Sequence, residues 1–139
     1  MGCDIHVHVE IKVAGKWEHY NHPRVGRWYE LFARMADVRN DGGVDPIARP
    51  RGMPDGCSVG TLVSCRADDG HSHSWLDALE IALLDKWVEA EAGEGSVCPF
   101  EDNFGYLFGN SFSGFLTRGR DGGYPEEVED VRFVFWFDS

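Results

Sequence analysis

The alternation near the start of the chain constrains the fold more than any other feature. From Asp4 to Val13 polar and apolar residues exchange places without a break. Asp4, His6, His8, Glu10 and Lys12 lie on one face, with Ile5, Val7, Val9, Ile11 and Val13 on the other. A period of two with β-branched residues on the apolar side defines a β-strand that turns one face to a core. Ala14, Gly15 and Lys16 then reverse the chain, and Trp17 to Tyr20 is predicted to return as a hairpin partner.

Further along, the period changes. Trp28, Leu31, Phe32, Met35 and Ala36 follow helical spacing, which predicts an amphipathic helix over 28–38, stopped by Asn40-Asp41-Gly42-Gly43. From there to about Gly70 the chain is rich in Pro and Gly and reads as a long loop, with room for a short strand at Thr61–Cys65. Ser74-Trp75-Leu76-Asp77 has the form of a capping box, so a second helix is predicted from there to about Ala92, with Trp75, Leu79, Leu83 and Trp87 on its inner stripe. Aromatic stretches follow at Phe104–Phe115 and Val131–Phe137. The second alternates like a strand in the middle of a sheet, beside the N-terminal one. The expected fold is one α+β domain, 1–139: a mainly antiparallel sheet with N- and C-terminal strands, packed by two amphipathic helices and a long Pro/Gly-rich loop.

Charge narrows the partners. The net charge is −11 over 139 residues, and a long polyanion needs a basic surface, so a general nucleic-acid binder is not expected. Six of the ten arginines nevertheless fall between Arg24 and Arg51, a locally basic stretch that suits a small anion. No run approaches the ~20 apolar residues of a membrane span, and Asp4, His6 and Glu10 interrupt any signal-peptide core, so a cytoplasmic protein without a membrane partner is expected. The four cysteines (Cys3, Cys57, Cys65, Cys98) form no C-x-x-C pair and read as thiols.

Two histidine pairs carry the chemistry. His6 and His8 point the same way about 6.5 Å apart, a spacing at which two imidazoles can chelate one divalent ion beside the carboxylate of Asp4. His71 and His73 precede the predicted helix, where free N–H groups and the helix dipole favour an anion and a neutral imidazole. Taken singly, the first pair suits an ordinary solvated strand face better than a ligand pair, and the second also suits a serine-rich cap with two exposed histidines. Together they define a proposed metal set of Asp4, His6, His8, His71 and His73, with Zn, Mn or Mg as the ion. His71, His73 and Asp4 are the catalytic candidates; Arg49, Arg51, Ser72, Ser74 and Trp75 are the ligand-binding ones. Arg49 and Arg51 can clamp a phosphate or, alternatively, pin their loop to Asp37, Asp41 and Asp45.

The sequence resembles a family of small proteins encoded by bacteriophages and prophages. The likeness rests on Met1-Gly2-Cys3-Asp4-Ile5-His6, on Tyr29–Ala33 and Ala36–Asn40, on Pro50-Arg51-Gly52-Met53-Pro54, on His71-Ser72-His73-Ser74-Trp75-Leu76 and on Val134–Asp138. It spans nearly the whole chain, with a shorter middle segment than other members. What it implies is a setting, the bacterial host cell, where small accessory proteins alter metabolism or blunt defences that signal through nucleotides.

Three functions follow as expectations. The first is a metal-dependent hydrolase cleaving a phosphodiester in a small or cyclic nucleotide. The alternative is a non-catalytic protein that sequesters such a nucleotide. The third, ranked last, is an acidic inhibitor that mimics nucleic acid. A homo-oligomer is compatible with each.

Overall fold

The structure is a computed structural model that describes residues 2–92 and 128–139. Among the described residues seven elements follow one another: β1 (Asp4–Val13), β2 (Lys16–Asn21), α1 (Tyr29–Ala36), α2 (Val59–Asp68), β3 (His71–Leu76), α3 (Ala78–Ala92) and β4 (Val128–Asp138). The strands form one antiparallel sheet in the order β2-β1-β4-β3. The α+β expectation holds, with the N- and C-terminal strands side by side at the centre.

Ile5, Val7, Val9 and Ile11 of β1 join Val131, Phe133, Phe135 and Phe137 of β4 in a dry layer. Against it pack Leu31, Phe32, Met35 and Ala36 of α1 and Ile81, Leu84 and Val88 of α3. Phe32 meets Phe137 edge-on at 5.3 Å, an arrangement that aromatic quadrupoles favour. None of the described helices is long and apolar enough to cross a membrane.

Three expectations need correction. The span expected to be a loop with a strand at 61–65 instead contains a helix, α2, beyond the two expected. Its N-cap is Ser58, whose hydroxyl accepts from the Thr61 amide at 3.3 Å. The helix expected from Ser74 begins at Ala78, because the reciprocal box is Asp77 with Glu80 (2.9 and 3.1 Å) and not Ser74 with Asp77. The shift turns that helix too. Leu79 is 71% exposed and Leu83 48%, while Ile81, Leu84 and Val88 take the inner stripe. His71–Leu76, read as the approach to a helix, is the edge strand β3. The aromatic stretch Phe104–Phe115 and Cys98 lie outside the described residues.

Gly70 has a purely steric reason to be glycine. A Cβ there would fall 2.6 Å from the carbonyl oxygen of Phe137 and 2.7 Å from the Trp136 ring. No larger residue lets the α2–β3 turn lie this close to β4.

Candidate functional site

The polar face of the sheet is covered rather than solvated. Register places His6 opposite Trp136, His8 opposite Val134 and Glu10 opposite Arg132. Glu10 is fully buried and Arg132 nearly so, and they form an ion pair at 2.8 Å. The Ser58 amide and the Thr61 hydroxyl each donate to Glu10 Oε2 at 2.8 Å, fastening α2 over the face. Arg132 also donates to the carbonyl of Asp55 and lies 4.0 Å above the Trp17 ring. Burial alone would raise the Glu10 carboxyl; the hydrogen bonds from Ser58, Thr61 and Arg132 outweigh it and hold the group below the usual carboxylate range. This is a satisfied buried pair, and its role is structural.

Beside it lies a layer of imidazoles. The hairpin sets His19 opposite Glu10, and His19 Nε2 lies 2.8 Å from His8 Nδ1. The His8 ring is 2% exposed and stacks between His22 (4.2 Å, 13°) and Trp136 (4.8 Å, 17°). Burial pushes His8 down to about 4, and the neighbouring His22 and His19 push the same way. His8 is therefore neutral at pH 7, and its Nε2 has no hydrogen-bond partner among the described residues. His22 Nδ1 donates to the Val7 carbonyl at 2.8 Å, a bond that leaves Nε2 as the basic nitrogen.

His6 is held differently. Its Nε2 lies 2.5 Å from Asp138 Oδ2, and its Nδ1 lies 3.5 Å from Asp68 Oδ2. Asp68 is in turn fixed by the Trp136 indole N–H at 3.0 Å. His6 and His22, with ring centroids 6.4 Å apart, border a groove of about 420 Å³ together with Asp4, Pro23 and Arg24. That volume suits a small ligand.

The proposed site residues do not all meet here. β4 separates β1 from β3, so His6 and His8 lie to one side of Trp136 and His73 to the other, with 5.9 Å between the His73 and Trp136 rings. His71 bonds the hydroxyls of Ser72 (2.9 Å) and Ser139 (3.0 Å). Asp4 is clasped by Arg27 at 2.6 and 3.1 Å. Arg49 is exposed, 3.8 Å from Asp37. Arg51 makes a bidentate pair with Glu80 and covers the Trp75 ring at 4.6 Å. Its amide donates to the Ser74 hydroxyl at 3.2 Å. Arg51, Ser74 and Trp75 therefore tie the loop to the β3–α3 corner. Among the described residues no three His, Cys, Asp or Glu side chains are placed to hold a metal ion. Burial raises the thiols of Cys3, Cys57 and Cys65, Cys57 to about 11, so none is an activated nucleophile.

His19, His22, Asp68, Trp136 and Asp138 complete the histidine face without having been singled out in the sequence. For one of them a signal existed: a hairpin turning at Gly15 must bring His19 beside β1. Comparison with known proteins identifies no relative: no family model, no curated protein and no solved structure matches the chain.

Proposed function

We propose that this protein hydrolyses a phosphodiester in a small, nucleotide-like ligand bound in the groove between His6 and His22. The observation that carries the reading is the bond from His22 Nδ1 to the Val7 carbonyl, which presents Nε2 as a base on the groove that Arg24 also borders. In this reading Nε2 of His22 takes a proton from water, and the oxygen of that water attacks phosphorus. The departing oxygen receives a proton from His6, and Arg24 offsets charge on the phosphoryl oxygens. A Zn, Mn or Mg ion that takes part would be shared with the ligand's phosphate, as Mg2+ commonly is, since the described side chains supply no three-ligand set. The setting would be the cytoplasm of a bacterial host, where a phage accessory protein meets nucleotide signals.

A sequestering role is favoured by one observation: the His6 nitrogens and Nδ1 of both His8 and His22 are already engaged within the protein. One experiment separates the two. Untagged protein is incubated with a panel of cyclic and linear nucleotides, with and without chelator, and the contents are analysed after denaturation. Hydrolysis predicts a ring-opened or shortened product, and His22→Gln should lower kcat/KM by at least about 100-fold. Intact nucleotide released from a tight complex establishes sequestration instead. A panel neither bound nor converted sinks both.

A further inference from the structure

α2 covers the histidine face but takes no part in the dry core on the other side of the sheet. None of its residues belongs to that core or packs against it. Thr61 is buried, while Val59, Leu62 and Val63 stand in solvent. Its fastenings are polar and lie at its two ends. The Ser58 amide and the Thr61 hydroxyl reach Glu10; at the far end Asp68 accepts from the Trp136 indole and lies 3.5 Å from His6 Nδ1.

The position of those fastenings places the helix. His6, His8 and Glu10 follow one another on one face of β1, about 13 Å from first to last. Thr61 to Asp68 spans about 10 Å of helix. A helix tied to the first and the last of the three lies across the middle one, and His8 is buried. We infer that α2 is a lid over His8, which lifts from the sheet as one unit, Ser58–Asp69, while the sheet and its dry core stay folded.

Three features support this. Opening a segment costs little where little apolar area is buried under it, and α2 buries almost none. The chain is pinned on either side of the unit: Gly52 and Asp55 are bonded to His73 and Arg132, and Gly70 is packed against Phe137 and Trp136. Finally, Nε2 of His8 is buried without a hydrogen-bond partner among the described residues. Such an atom costs the closed form stability, which a partner from water or a small ligand restores in the open one. The lid concerns access to His8 and stands apart from hydrolysis in the His6–His22 groove, so the failure of one leaves the other standing.

Amide exchange of 15N-labelled full-length protein tests it without any ligand. The helical amides from Val63 to Asp68 should exchange together, at least about 10-fold faster than the slowest amides of β1 and β4. Two substitutions separate lifting from unfolding. Asp68→Ala removes the fastening to Trp136 and should quicken α2 exchange about 5-fold. Ile81→Val thins the dry core, which the closed and open forms share; it should quicken the slowest strand amides about 5-fold and leave α2 as it was. Diethyl pyrocarbonate, which modifies accessible imidazoles, gives a second readout. His8 should react more slowly than the exposed His71, and faster in Asp68→Ala by the same factor as α2 exchange. Four results would overturn the inference: α2 amides as slow as the slowest strand amides; α2 exchange that quickens with Ile81→Val; His8 as reactive as His71; or His8 reactivity that Asp68→Ala leaves unchanged.

Discussion

The two faces of this sheet share the same strands and follow opposite physics. Toward α1 and α3 the side chains are aliphatic and aromatic, and the layer excludes water without directed bonds. Toward α2 the cover is fastened by named polar contacts: Ser58 and Thr61 on Glu10, Trp136 on Asp68. The helix above contributes little apolar weight, since only Thr61 of its ten residues is buried. A face held by burial is tolerant in chemistry and strict in volume, whereas one held by charge and imidazoles is strict in protonation and partner. Ligand-binding groups are found on the second kind, because a surface with unsaturated nitrogen and carboxylate is the one that can exchange an internal partner for an external one.

The largest test of that contrast is Phe135→Ala on the dry face. It should cost about 3–5 kcal/mol in urea unfolding and leave the pH dependence of stability unaltered. Next comes Arg132→Met on the polar face, which leaves Glu10 buried and unpaired. A loss of about 3 kcal/mol is expected, only part of it recovered by adding Glu10→Met, because that change also orphans the Ser58 amide and the Thr61 hydroxyl. If the double variant is no better than the single, the pair does more than satisfy itself.

The third test is protonation. With a native value of about 4 and an ordinary one of 6.5, His8 is depressed in the folded state. Between those values the unfolded chain binds a proton that the native state refuses. Stability should therefore fall as pH drops from about 6.5 to about 4, by up to about 3 kcal/mol, and this contribution levels off below that. His19 and His73, lowered chiefly by burial, act in the same direction. His8→Phe should flatten the slope in that window; an unchanged slope would remove His8 as its source.

How far the sequence reveals each face follows the same division. Most of the dry face is plain from period alone: β1, α1 and β4 are where alternation and helical spacing put them, because burial of one side writes itself into the residue order, whereas the inner stripe of α3 falls on Ile81, Leu84 and Val88 and not on Leu79 and Leu83. The polar face is not. α2 contains Gly60 and the β-branched Val59, Thr61 and Val63, a poor helix by propensity, and it is stabilised by Glu10 about fifty positions away. The Ser-x-x-Asp pattern at Ser74 competes with Asp77-x-x-Glu80, and only the tertiary pair of Arg51 with Glu80 distinguishes them. His71 and His73 share a spacing with His6 and His8, but spacing cannot say that β4 runs between them. His19 was within reach, since the register of a tight hairpin follows from its turn; His22 lies past the register shift at Val9 and Glu10, which the turn does not announce.

The pairing of β1 with β4 bears on how the protein is made. Val13 pairs with Val128 and Asp4 with Asp138, so every rung of the central ladder joins residues over a hundred positions apart. A ribosome adding roughly 5–20 residues per second emits β1 on the order of ten seconds before its neighbour exists. Throughout that interval the nascent hairpin carries an unpaired inner edge and an uncovered row of valine and isoleucine. Folding waits on synthesis, and the strand written first is among the last to be closed in.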